Sequence, residues 1–337
     1  MTKTTFVIKI IKMLCSSCTF TDKITLRDFS SDFFKEDICP IQFRKKQRNK
    51  GFSRSYLHSL RLTLEKHILP VFGDIYINEI DSKDIDDFVI NMYTKQKYSG
   101  RWVNYTLLSF RIVLSEAQRN QLIQNNPARD VLYLKEIHKK KGILTTEEAN
   151  LLLDKKHWYN DIFYMFNKTG RYTGMRLGEI QALNNSDIKH ENGIDYISVT
   201  KSYERINGLK STKTNRNRIV PIPSWFAKEL KEFNPDQKFM FSRNGNAPYK
   251  ISIICYRFRD ALNSIGISEE ERKERNITFH SWRHRYVSVL NGTIPFEQLK
   301  MIVGHSQKST TDLYTHQIIG KTKRILSAKF YENIHDR

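Results

Sequence analysis

A basic run ending in glycine, Ile137-His138-Lys139-Lys140-Lys141-Gly142, most constrains the fold, because the hydrophobic patterning differs on its two sides. Ahead of it the chain reads as helices alone. Thr25 to Phe34, Ser53 to Ile68, Ser82 to Tyr93 and Trp102 to Ile123 carry apolar residues at helical spacing. Leu57, Leu60, Leu64 and Ile68 mark the stripe on the second, and Leu107, Leu108, Ile112, Leu114, Ala117 and Leu122 populate the fourth. Behind the run, Leu144-Thr145-Thr146-Glu147-Glu148 reads as a capped helix start with acids in its first turn. A strand pair follows, Ile194 to Thr200 and Arg218 to Ile222, with a polar connection between. A chain of 337 residues can bury two separate cores. The boundary is expected near residue 138.

Charge bears on the partner. Lys and Arg number 56 against 36 Asp and Glu, a net charge of +20, which calls for a polyanion. From Phe43 to Leu64 there is no acid, while Arg44, Lys45, Lys46, Arg48, Lys50, Arg54 and Arg61 are all basic. These residues, with Lys139, Lys140 and Lys141, read as a phosphate-tracking surface. Phe6 to Cys15 is apolar but is broken by Lys9 and Lys12, too short to span a bilayer, and no signal-cleavage region follows. A cytoplasmic protein with no membrane partner is expected. Cys15 and Cys18 have the spacing of half a zinc site and Cys39 could be a third ligand, but nothing completes the set, so reduced thiols and no bound metal are expected.

Five short motifs carry the chemistry. Thr173-Gly174-Met175-Arg176-Leu177-Gly178-Glu179-Ile180 places an arginine at the start of an apolar-periodic run, and a basic hairpin ends Ser211-Thr212-Lys213-Thr214-Asn215-Arg216-Asn217-Arg218. Phe279-His280-Ser281-Trp282-Arg283-His284 sets a histidine and an arginine at i and i+3, one face of a helix. Gly304-His305 and then Tyr314, within Thr310-Thr311-Asp312-Leu313-Tyr314, complete the order. Pro295 to Val303 has a helical stripe at Phe296, Leu299, Ile302 and Val303, with proline near its start and Gly304 past its end. His305 therefore falls on a turn, and Ser309 with Asp312 opens the next helix, which holds Tyr314. Displacement at a phosphodiester builds negative charge on the non-bridging oxygens, so its catalysis is mostly positioning and charge stabilisation. Arginine forks suit that task, and a tyrosine hydroxyl can store the energy of the broken bond as a phosphotyrosine. A nuclease has no use for such storage; a strand-exchange enzyme needs it.

This set of motifs resembles the tyrosine recombinases, or phage integrase family. The resemblance implies a mainly α, two-domain tyrosine recombinase fold. Residues 1–23 would be an extension of unclear role, 24–138 a helical core-binding domain and 139–337 a mostly helical catalytic domain with a small antiparallel β-sheet and a carboxy-terminal tail. The Leu69-Pro70-Val71-Phe72-Gly73 and Asn126-Pro127-Ala128 turns fit that first domain. By motif, Arg176 and Arg283 would bind the scissile phosphate and Lys213 would protonate the leaving 5′ oxygen, with Lys210 competing for that role. His280 and His305 would assist, and Tyr314 would be the nucleophile. Trp282 stands where the family usually has leucine, a change expected to alter packing more than chemistry. The resemblance further implies a metal-independent, cofactor-free enzyme of a phage or conjugative transposon. It would act as a homotetramer on paired sites in double-stranded DNA, with DNA-bending accessory proteins as candidate partners. A chromosome-dimer resolvase with the same chemistry and an inactive DNA-binding regulator are the alternatives.

Overall fold

Ser53, Asp81 and Ser99 each accept the backbone N–H three residues on, at 3.3, 2.8 and 3.3 Å, and these caps open three of the helices that build the amino-terminal half. The structure, a computed structural model, describes residues 23–136, 140–211 and 217–304. It divides into two compact units, residues 1–138 and 139–337. Among the described residues no helix is long and apolar enough to cross a membrane.

The first unit runs α1 (Leu26–Phe29), α2 (Pro40–Lys46), α3 (Arg54–Thr63), a π-helical turn (Leu64–Ile68), α4 (Leu69–Phe72), α5 (Ser82–Thr94) and α6 (Gly100–Arg119). Leu57, Leu60, Leu64 and Ile68 are buried as their stripe predicts, together with Leu107, Leu114 and Ala117 of α6; Leu108, Ile112 and Leu122 of the expected second stripe are half-buried, while Val103 and Phe110 take places in the core. The segment from Thr25 to Phe34 departs from expectation: α1 stops at Phe29. The Arg61 guanidinium takes the carbonyls of Ser30, Ser31 and Phe33, so that chain turns around an arginine in place of continuing its helix. Leu69 to Gly73, expected as a turn, is helical as far as Phe72. The wide turn before it accommodates Pro70, which has no N–H for an ordinary helical bond. Gly73 closes this turn with its N–H on the Leu69 carbonyl at 2.9 Å, and a Cβ there would lie 2.6 Å from the Arg27 guanidinium. Helix α2 was not foreseen, and Cys39 is buried beside it as a free thiol.

The second unit contains α7 (Thr146–Leu151), α8 (Asp161–Thr173), α9 (Leu177–Gln181), β1 (Ile188–Glu191), β2 (Ile194–Val199), β3 (Lys201–Glu204), β4 (Gly208–Ser211), β5 (Arg218–Ile222), α10 (Ser224–Glu232), α11 (Ile251–Ser264), α12 (Glu269–Glu274), α13 (Ser281–Leu290) and α14 (Phe296–Val303). Thr145 and Glu148 form a reciprocal capping box at the start of α7. Just before it, Gly142 gives its N–H to the Asn276 carbonyl at 3.2 Å, where a Cβ would run into that backbone. Strands β1, β2 and β5 form an antiparallel sheet in that order, with Val199 opposite Arg218 and Ile197 opposite Val220. The connection between β2 and β5 carries its own two-stranded hairpin, β3–β4, where the sequence suggested only a polar link. Helix α8 is buried along most of its length. Trp282 packs into the same core and donates its indole N–H to Asn167 Oδ1 at 3.0 Å, which agrees with a packing role.

Candidate active site

Helix α8 ends at Gly174, whose φ of 58° turns the chain into Met175 and Arg176. Glycine suits this left-handed position, and a Cβ here would run into the Tyr286 ring. Arg176 is the N-cap of α9, its backbone N–H on Glu179 Oε2 at 2.8 Å and its Nη1 on Glu179 Oε1 at 3.0 Å. Nearly half of the Arg176 side chain remains exposed. The Glu179 carboxylate, by contrast, is 3 % exposed. Arg218, at the first position of β5, holds it with Nη1 on Oε1 at 2.9 Å and Nη2 on Oε2 at 2.6 Å. Burial works against ionisation of Glu179, but hydrogen bonds and charge from Arg218, joined by Arg176, lower it to about 2.

Arg283 lies in the first turn of α13 and is 3 % exposed. Its Nη1 donates to the Gly174 carbonyl at 2.9 Å and its Nη2 to the Val303 carbonyl. Burial, reinforced by the cations of Arg176 and Arg218, lowers this guanidinium to about 9, which leaves it charged at neutral pH. His280 precedes α13 as its N-cap, so it stands just ahead of the helix whose face it was expected to share with Arg283. The imidazole keeps an exposed edge and meets the His284 ring at 4.8 Å. Surrounding protein, then the charges of His284, Arg283, Lys141 and Arg176, lower His280 to about 4. At neutral pH it is therefore an uncharged base among cations.

The end of α14 ties these groups together. Its last carbonyls have no partner within the helix, and they carry the negative end of the helix dipole. Arg218 Nε donates to the Ile302 carbonyl at 2.8 Å, Arg283 Nη2 to Val303, and Arg176 Nη2 to Gly304 at 3.0 Å. Three guanidiniums from three elements thus cap three successive residues. Gly304 (φ 69°) ends the helix as its proline and glycine punctuation predicts, and a Cβ there would lie 3.2 Å from Arg218 Cδ. With one carboxylate against three guanidiniums the cluster is net cationic. The sequence motifs mark Arg176, Arg283 and His280 but assign Glu179 and Arg218 no role. The signal available for Arg218 was its place at the head of an apolar strand, where an arginine needs a partner.

Lys213, His305 and Tyr314 lie outside the described residues, as do Lys139, Cys15, Cys18 and the tail after Gly304. Lys210 is on β4 and is ion-paired to Glu204 across that hairpin. Lys140 and Lys141 are exposed, and Lys141 is close enough to His280 to disfavour its proton. In the first unit, Arg44 forks onto the buried Glu116, Arg54 pairs with Glu36, and Arg61 is spent on Glu65 and the three carbonyls already named. Lys45 sits 4.6 Å above the Phe52 ring. Lys46, Arg48 and Lys50 are exposed.

The family model described as the phage integrase family matches residues 143–319, and that of its N-terminal SAM-like domain matches residues 43–93. A probable integrase/recombinase protein of Methanocaldococcus jannaschii is 30 % identical over 145 residues, 43 % of this chain and 42 % of that protein. The ICEBs1 integrase of Bacillus subtilis is 24 % identical over 284 residues, covering 80 % of this chain and 76 % of its own. Among solved structures, the Tn1549 transposon integrase in complex with a circular intermediate DNA superposes with a TM-score of 0.63 at 18 % identity, over 88 % of this chain and 99 % of that one.

Proposed function

The chain belongs to the phage integrase family, and we propose that it is a site-specific recombinase of a mobile element whose residues divide the work as follows. Tyr314 attacks the scissile phosphorus through its hydroxyl oxygen. The bond from phosphorus to the 5′ oxygen breaks, leaving the 3′ phosphate on the tyrosine, and Lys213 protonates the departing oxygen. The 5′ hydroxyl of the partner strand then attacks this phosphotyrosine, reforms a phosphodiester and returns a proton to the tyrosine. Arg176 and Arg283 hold the non-bridging oxygens. Neutral His280 accepts the tyrosine proton, and His305 adds a further hydrogen bond.

One observation carries this reading: Arg176 and Arg283 donate to the carbonyls of adjacent residues, so two cationic forks from separate elements lie within reach of one small anion. The exposed Lys46, Arg48 and Lys50 of residues 24–138 would supply phosphate contacts as the core-binding domain, with Lys140 and Lys141 adding theirs from the catalytic domain, residues 139–337. Arg44 and Arg61 would support that surface from beneath. Exchange between two duplexes cuts four strands, and each cut occupies one tyrosine, which favours four copies of the chain on paired sites. The reaction would take place in the cytoplasm, with DNA-bending accessory proteins as further partners.

The test is incubation with nicked duplexes carrying candidate sites. The protein should give a slowly migrating, protease-sensitive DNA adduct, and Tyr314→Phe should bind the same DNA without forming it. A DNA-binding regulator without chemistry would give no adduct from either protein. An adduct from Tyr314→Phe would mean that another residue is the nucleophile.

A further inference from the structure

We propose that Arg218 is a positioning residue for the strand-transfer reaction: by neutralising Glu179 and bracing the end of α14, it leaves the Arg176 guanidinium free to meet the phosphate. The inference rests on Arg176 being a phosphate ligand, as proposed above. Glu179 is nearly as buried as any residue in the core, and both of its oxygens are shared. Oε1 takes Arg176 Nη1 at 3.0 Å and Arg218 Nη1 at 2.9 Å; Oε2 takes the Arg176 backbone N–H at 2.8 Å and Arg218 Nη2 at 2.6 Å. Only one of these four bonds draws on the Arg176 side chain. Arg218 uses all three of its guanidinium nitrogens inside the protein, Nη1 and Nη2 on Glu179 and Nε on the Ile302 carbonyl at 2.8 Å.

Removing Arg218 would leave a buried carboxylate with a single cationic neighbour, and the cost of that unpaired charge would draw Arg176 inward. It would also free the Ile302 carbonyl, one of the three acceptors that fix the end of α14 beside Arg176. A guanidinium displaced by about 1 Å from its phosphate position costs on the order of 100-fold in rate. The reach of Arg218 explains why one residue can do both tasks. It lies at the start of β5, 39 positions from Glu179 and 84 from Ile302, and its fork bonds both.

The experiment uses the full chain and single-turnover cleavage of a nicked duplex. Arg218→Met should slow cleavage roughly 100-fold while DNA affinity is retained. Two readouts separate positioning from mere support of the fold. On a duplex whose scissile phosphate carries a methylphosphonate, the charge that Arg176 would stabilise is gone, so the defect should shrink by about tenfold or more. In the double variant Arg218→Met with Glu179→Gln, the unpaired charge is removed and most of the lost rate should return. Equal slowing on both substrates, or a double variant slower than Arg218→Met, would overturn the proposal and leave Arg218 a structural residue. So would a collapse of the thermal melt in both Arg218→Met and Arg218→Lys. Arg176→Ala, run alongside, tests the underlying reading: if it cleaves at the wild-type rate, the phosphate assignment fails, whereas if it is inactive and Arg218→Met is normal, only the positioning role fails.

Discussion

Replacing Glu179 by glutamine should cost about 3 kcal/mol of stability at neutral pH. The carboxyl sits near 2 in the folded chain in place of its ordinary 4.5, and that difference corresponds to about 3 kcal/mol favouring the folded state. The group is 3 % exposed, so solvent screening takes little away. Glutamine keeps the shape and the acceptor oxygen but leaves the Arg218 cation buried without its counter-charge, which acts in the same direction. Because the folded value is depressed, the contribution is complete above pH 4.5 and is lost as pH falls toward 2. The gap between wild type and Glu179→Gln should therefore be constant from pH 7 to 5, then close at about 1.4 kcal/mol per pH unit, with about 2 kcal/mol gone by pH 3. Urea unfolding followed by tryptophan fluorescence is a suitable assay, since Trp158, Trp225 and Trp282 all belong to the second unit. Taking the difference between the two proteins cancels the other carboxylates. A gap below about 1 kcal/mol at pH 7, or one that does not close on acidification, would refute this account of the pair.

Cleavage should survive excess EDTA, because Arg176, Arg218 and Arg283 already supply the local positive charge; an absolute requirement for magnesium would count against the site. Lys213→Ala should be slow on ordinary DNA and largely rescued by a 5′-bridging sulfur, which leaves without a proton. Rescue of Lys210→Ala instead would move the general-acid role to β4. Since His280 is lowered to about 4, a cleavage rate that needs its neutral form should stay level from pH 7 to 5 and fall only as pH passes through that value; a midpoint near 6.5 would mean that the ring is not shielded when DNA is bound.

Local rules made much of this architecture legible. Helix α14 begins after Pro295 and ends at Gly304 because proline and glycine act on their own backbone, wherever the rest of the chain lies. The stripe of Leu57, Leu60, Leu64 and Ile68 was likewise written in spacing alone. What escaped was decided at long range or by backbone geometry. The Thr25 to Phe34 segment has helical spacing, yet Arg61, some thirty residues away, captures its carbonyls. Leu69 to Phe72 contains a proline that reads as a break, but the widened turn ahead of it absorbs the missing N–H. Arg176, Arg283 and His280 stood out because each belongs to a short motif. Glu179 and Arg218 lie in such motifs too but drew no role, because their importance lies in meeting one another across two elements.

That meeting suggests why the site is built on the end of a helix. An arginine cluster repels itself when no anion is bound, and two of these side chains are nearly buried. The carbonyls of Ile302, Val303 and Gly304 offer the negative end of a helix dipole at the place where the charge would otherwise be uncompensated. Glu179 adds one full negative charge, enough to hold Arg218 and to orient Arg176 but not to neutralise the cluster. The result is preorganised cationic capacity that costs little reorganisation when an anion arrives, the condition under which electrostatic catalysis is most effective. Arg176 is the most exposed of the three and keeps N–H groups beyond the two it has committed, so under the proposed function it is the member best placed to take up the phosphate first.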